Sequence, residues 1–424
     1  MRINLFKRFF VCLFIVLLLN VFFIPFVHAN ELNSLNINSP SALLMDSTTG
    51  KILYEKNINE KMYPASLTKV MTAIIVLENC NLSDTATVSS ESIMSIPPGY
   101  VTANLQVGEE LTIEQLLYLL MVGSCNDAAV VLAEHVSGSV DNFSVLMNEK
   151  AKELGCTSTN FVNPNGLHDE NHYSTAYDLA LISKYAMNND SFKTIVSTTY
   201  YELPATNKYD KADRIFATTN ALLRGDYYYK YATGIKTGFT TPAKNCLTAS
   251  ADKNNLELIT VILGASQTDD GSSQRYLDTI SLFEYGFENY KLKQIAKSGD
   301  SVQTINVKGA TIKTKKLDAV ISNDINVLIN KNSETSIILP EINLNPDLKA
   351  PIKKGDVIGN VTYVSEGIEY TENLLASNDV KKSNFLIIVI ILIFIFILYY
   401  LYLSFCKRKK KNKRLKKRKN KRGF

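Results

Sequence analysis

Nineteen consecutive uncharged residues, Phe385–Leu403, constrain this chain more than any other feature. As a helix rising about 1.5 Å per residue they span about 30 Å, the thickness of a bilayer's hydrocarbon core. Tyr399, Tyr400 and Tyr402 lie where an interfacial aromatic belt would sit, and thirteen Lys and Arg follow between Lys407 and Arg422. The positive-inside rule keeps that end in the cytoplasm. At the other end come Arg2, Lys7 and Arg8, then an apolar run from Val11 to Phe26. Val27-His28-Ala29 follows, with small residues where a signal peptidase reads. Residues 1–29 therefore read as a signal peptide, with an uncleaved anchor as the competing reading. Together the ends predict a cell-membrane protein with one span (385–403), an extracellular body and a polybasic cytoplasmic tail (407–424).

The formal charge of +5 hides a partition. With the sixteen terminal Lys and Arg set aside, 30 of the 46 remain against 41 Asp and Glu, so the body carries about −11. A nucleic-acid partner is therefore not expected. Hydrophobic residues make up 46% of the 424, enough to bury a core. The body retains Cys80, Cys125, Cys156 and Cys246, which allow three pairings or four free thiols.

Ala42–Met45 and Lys51–Tyr54 are short apolar runs around Asp46-Ser47-Thr48-Thr49-Gly50, a hairpin signal. Ser66 precedes Val70, Met71, Ala73, Ile74, Val76 and Leu77, which predicts a mostly buried helix of about four turns with Ser66 at its N-cap. Residues 111–121 and 127–136 read as helices parted by Gly123-Ser124-Cys125-Asn126. Residues 231–238, 245–251 and 256–265 read as three consecutive strands. The fold class expected is α+β, a mainly antiparallel sheet covered by helices over about 38–290. From 294 to 373 the short β-prone runs predict a small all-β domain, and 374–384 read as a polar linker to the span.

The chemistry is concentrated in Ser66-Leu67-Thr68-Lys69. A serine hydroxyl needs a base to become a nucleophile. A lysine three residues later on a helix shares its face, and burial near other cations lowers its pKa into the range of a base. Alone the pattern is weak, since it recurs at Ser250–Lys253 and Ser404–Lys407, but only Ser66 opens a helix. Ser124-Cys125-Asn126 offers a hydroxyl for proton relay and an amide to orient substrate. Lys236-Thr237-Gly238 lies on a strand that can pair with an extended peptide. There Lys236 and Thr237 can meet a carboxylate, and Gly238 permits close approach. The spacing is 58 residues from Ser66 to Ser124 and 112 more to Lys236.

In that order and spacing the chain resembles the penicillin-binding D-alanyl-D-alanine carboxypeptidases, which carry S-x-x-K, S-x-N and K-T-G. The likeness runs over roughly 38–290 and includes Tyr63–Lys69, Gly123–Ala129, Asn163-Pro164-Asn165-Gly166-Leu167 and Ile235–Thr240. It implies a serine β-lactamase/DD-peptidase fold, a β-rich C-terminal domain and a C-terminal anchor. Ser66 would be the acylated nucleophile, Lys69 its base and Ser124 a proton relay. Asn126, Lys236, Thr237 and Gly238 would bind substrate. The oxyanion hole would be the backbone N–H of Ser66 and Phe239. The partners implied are peptidoglycan stem peptides as substrate and β-lactams as inhibitors, with no cofactor. Two departures stand out. Cys125 occupies an often small position and is a candidate reactive thiol. Lys244 stands where a glycine is common, which leaves the start of the next strand open.

Arg275 is a candidate partner for the substrate's terminal carboxylate, the alternative being an arginine on a helix surface. His168 and His172 flank Asp169 and Glu170 without the H-E-x-x-H spacing, so no metal is expected. A β-lactamase would need a deacylating base, for which Glu170 is the only glutamate between Asn160 and Tyr177. The non-enzymatic rival is an anchored protein that binds peptidoglycan or a membrane partner through its β domain.

Overall fold

The computed structural model describes residues 35–332 and 338–420. The signal read at 1–29 lies outside the described residues. The described chain forms two compact units: 35–44, 54–250 and 260–285 in one, and 45–53, 251–259 and 286–420 in the other.

Strands β1 (Ser41–Asp46) and β2 (Ile52–Lys56) are joined across the turn read from sequence. A 3-10 turn, Ala65–Thr68, then runs into α1 (Lys69–Asn79), which buries every residue from Lys69 to Val76. A helix with no solvated face belongs inside a protein. Short strands β3 (Thr85–Thr87) and β4 (Glu110–Thr112) pair around α2 (Ser90–Met94). Next come α3 (Ile113–Met121), α4 (Asn126–Ser137), α5 (Val140–Glu153), α6 (Ala176–Ala186) and α7 (Asp190–Ser197). The helix read from Leu111 starts later, because Thr112 and Gln115 form a capping box and Leu111 lies in β4.

The hairpin β5 (Tyr200–Leu203)–β6 (Arg214–Ala217) precedes the three predicted strands, which are β7 (Ala232–Thr240), β8 (Lys244–Lys253) and β9 (Leu256–Ala265). Two asparagines, Asn254 and Asn255, turn β8 into β9 with φ of 57° and 65°, the geometry of a tight hairpin turn. Lys244 opens β8 with φ of 57°. The strand therefore starts at Lys244 without a glycine, and a side chain held left-handed there costs about 1–2 kcal/mol. The sheet order is β2-β1-β9-β8-β7, which leaves β7 on an edge. β1, β8 and β9 are buried along almost their whole length, so the sheet is covered on both faces. Helix α8 (Gln274–Asn289) follows.

Strands β10 (Tyr290–Ala296), β11 (Ser301–Asn306), β12 (Lys316–Ile321) and β13 (Ile325–Asn330) come next. They are followed by β14 (Ile338–Leu344), β15 (Val357–Ser365) and β16 (Ile368–Ala376). β10 pairs with β13, and an antiparallel sheet runs β11-β12-β16-β15-β14. This is the small β-rich region the sequence predicts, but it reaches further at its end. Residues 374–382 are not a linker: Leu374, Ala376 and Val380 sit in the core with Leu317, Ala319 and Val361. Val380 pairs with Ile352, and Ser383 N–H donates to the Gly309 carbonyl at 2.7 Å. Val380 stands alone among polar residues, so no periodicity marks it. The last element, α9 (Phe385–Asn420), contains a stretch of mean hydropathy 3.1, long and apolar enough to cross a membrane.

Candidate active site

Ser66 lies within the 3-10 turn and does not cap a helix, so its hydroxyl is not consumed by the backbone. Ala65 before it is left-handed, φ 50°. A buried chain holds that conformation. Thr68 Oγ1 donates to the Ala65 carbonyl at 2.8 Å, and His172 Nε2 lies 2.8 Å from the same Oγ1. The Val162 N–H donates to His172 Nδ1 at 3.2 Å, which assigns the ring proton to Nε2. Burial pushes His172 down to about 4, so the ring stays neutral. His168 packs edge-on against Tyr63, and the two histidines have separate structural tasks. Among the described residues no group of three metal-ligating side chains occurs.

Lys69 Nζ is completely buried and has three neighbours: Ser66 Oγ at 3.0 Å, Asn126 Oδ1 at 2.8 Å and the Asn165 carbonyl at 2.6 Å. Burial, reinforced by the Lys236 charge, holds its pKa well below the usual lysine value. A neutral amine has two N–H bonds and one lone pair. The two carbonyl oxygens can only accept, so they take the N–H bonds and leave the lone pair to the Ser66 O–H. The Asn165 carbonyl comes from the Asn163–Leu167 segment. It is set by Asn163 Oδ1 accepting Gly166 N–H (2.7 Å) and by Thr72 Oγ1 donating to the Pro164 carbonyl (2.6 Å). Gly166 is obligatory, since a Cβ there would lie 1.9 Å from the Ala65 carbonyl oxygen.

Ser124, with φ of 59°, and Asn126 lie at the α3–α4 junction and line the same cleft as Ser66. Asn126 also donates through Nδ2 and its backbone N–H to the Val101 carbonyl, at 2.9 Å each. The next residue, Asp127, accepts the backbone N–H groups of Ala103 and Leu105. These bonds tie the cleft wall at Tyr100 and Val101 to the site, a task the sequence reading did not assign. Cys125 is fully buried, and burial pushes its thiol far up, so it is no reactive thiolate. Cys80, Cys125, Cys156 and Cys246 are all free thiols.

Lys236, Thr237 and Gly238 lie inside β7, where the sequence reading put them at its end. Lys236 is buried, donates to the Thr237 carbonyl at 3.0 Å, and is pushed down to about 7 by burial and by Arg275. At Gly238 a Cβ would come within 3.0 Å of both the Pro64 carbonyl oxygen and the Ser66 nitrogen. The missing side chain thus lets the edge strand pass against the Ser66 N–H. Arg275, on α8, donates to the carbonyls of Gly238 (3.2 Å) and Cys246 (3.4 Å) and lines the cleft. It is not a free surface arginine.

The structure thus brings Ser66, Ser124, Asn126, Thr237, Gly238 and Arg275 to one cleft of about 440 Å³, with Lys69 behind Ser66. Glu170 is exposed, and the atom of its loop that reaches Lys69 is a carbonyl of Asn165, not a carboxylate. A family model described as D-alanyl-D-alanine carboxypeptidase matches residues 28–267, more than half of the chain. The chain belongs to this family. A second model, the penicillin-binding protein 5 C-terminal domain, matches residues 290–382, which include the strand and bridge beyond 373. D-alanyl-D-alanine carboxypeptidase DacF of Bacillus subtilis is 35% identical over 82% of this chain and 87% of its own. Penicillin binding protein 5 of Haemophilus influenzae superposes with a TM-score of 0.63 at 29% identity, covering 82% and 98%. The Streptococcus pneumoniae peptidoglycan synthesis regulatory factor PBP3 shares the fold at TM-score 0.71 and 24% identity, covering 82% and 100%. The fold and peptidase class implied by the three motifs therefore hold.

Proposed function

We propose that this serine-type D-alanyl-D-alanine carboxypeptidase trims the terminal D-alanine from peptidoglycan stem peptides through an acyl-enzyme on Ser66. The reading is carried by one arrangement: a buried lysine whose N–H bonds are taken by two carbonyl oxygens and whose remaining face meets Ser66 Oγ. Lys69 takes the Ser66 proton as Oγ attacks the carbonyl between the two D-alanines. The backbone N–H groups of Ser66 and Phe239 receive the oxyanion. The C–N bond breaks, the leaving amine takes a proton relayed by Ser124, and water later hydrolyses the ester. Asn126 and the free edge of β7, with Lys236 and Thr237, hold the peptide extended. In a β-lactam the broken amide stays tethered to the adduct, so acylation persists and inhibits.

Residues 385–403 are proposed as the span and the following basic run as the cytoplasmic end. This agrees with a catalytic body on the side where stem peptides lie. The test uses full chain in detergent with a peptide ending in D-alanyl-D-alanine. Stoichiometric D-alanine release by wild type, abolished with penicillin labelling in Lys69→Ala, is expected. Absence of D-alanine from a folded, penicillin-labelled wild type would overturn the reading.

A further inference from the structure

The cleft wall carries a hydroxyl that the three motifs do not include. Thr219 lies between β6 and β7, exposed toward the cleft, with its Oγ1 2.5 Å from Thr237 Oγ1. Its backbone is gripped from α8. Tyr276 Oη donates to the Thr219 carbonyl at 3.1 Å and accepts the Ala221 N–H at 3.2 Å. Tyr276 is stacked on Tyr227, whose hydroxyl accepts the Ser273 N–H at 2.7 Å. Tyr276 also follows Arg275 directly, so one stretch of helix positions both Thr219 and the guanidinium. Among the described residues lining the cleft, none is acidic and Arg275 is the one cation.

Two hydroxyls this close share one hydrogen bond: one donates to the other, and the second proton of the pair is free to point elsewhere. With an arginine in the same cleft and no carboxylate to compete, that proton suits an incoming anion. A donor chain ending on an ionised group is stronger than an isolated hydroxyl.

We propose that Thr219 is a specificity-determining residue, whose hydroxyl joins those of Thr237 and Arg275's guanidinium to seat the substrate's C-terminal carboxylate. This rests on the carboxypeptidase reading above and adds a contact to it. Thr219→Val keeps the shape and deletes the hydroxyl, Thr219→Ser keeps the hydroxyl, and both are made in the full chain. Two reactions are followed: D-alanine release from the peptide, and Ser66 acylation by a labelled penicillin or by its methyl ester, which lacks the carboxylate.

Thr219→Val should lower kcat/KM for the peptide about tenfold, chiefly through KM, and slow acylation by the acid but not by the ester. Thr219→Ser should lie within about twofold of wild type. An unchanged Thr219→Val, or an equal loss on acid and ester, would overturn the proposal, the latter by revealing a merely structural role. If wild type releases no D-alanine the functional reading fails instead, and the acid–ester comparison still decides Thr219.

Discussion

At the scale of single residues, the site depends on which form of Lys69 is present. Its pKa is lowered, first by burial and next by the Lys236 charge. In the proposed mechanism the neutral amine is the working form, so acylation should rise with pH through that lowered pKa and be lost as pH falls below it. Removing the neighbouring charge must move the Lys69 pKa back up. In Lys236→Gln the rate constant for penicillin acylation will be smaller, and its acid limb should shift to higher pH. A pH profile with the limb unmoved would mean that Lys236 acts on substrate alone. The same scale shows what residue type can and cannot reveal. The contact between Ser66 and Lys69 was legible because a lysine three residues on shares the face of the serine. The Asn165 carbonyl was not, because any residue supplies a carbonyl; the adjacent Gly166, with φ of 81°, was the available sign of a close backbone approach.

At the scale of elements, the proposed mechanism needs β7 to pass against the 3-10 turn that carries Ser66. Gly238 permits this, and a methyl group there would have to displace backbone at Pro64 and Ser66 or move the strand. Shifts of a few tenths of an ångström are tolerable for folding and costly for an oxyanion site. Gly238→Ala should therefore slow penicillin acylation about 10–100-fold while thermal unfolding stays close to wild type, with stopped-flow labelling and calorimetry as the paired measurements. Unimpaired acylation would place the oxyanion donors elsewhere. The three strands from 232 to 265 were readable as elements, since alternating and apolar runs bounded by turn residues leave few options. Their neighbours were not: the cleft wall at Val101 is held by hydrogen bonds to Asn126 over 25 positions, and no local pattern encodes that pairing. The same holds for Thr219 and Tyr276, which are 57 positions apart.

At the scale of the whole molecule, the polarity of a segment proved a poor guide to where the folded body stops. Residues 374–384 look like a tether, yet the chain remains hydrogen-bonded into the β unit through Ser383 and only then enters the apolar helix. A chain ending at Asn384 should consequently leave the membrane fraction, keep penicillin binding and resist proteolysis across residues 290–383. A chain ending at Asn373 loses Leu374, Ala376 and Val380 from the core, of which the Leu and Val alone contribute about 1.5–3 kcal/mol each. It also strips β12 of its three partners on β16, since Ala319, Val320 and Ile321 pair with Ala376, Leu375 and Leu374. Its β unit should be cleaved at protease concentrations that leave the longer chain intact. Equal resistance of the two truncations would return 374–383 to the status of a linker.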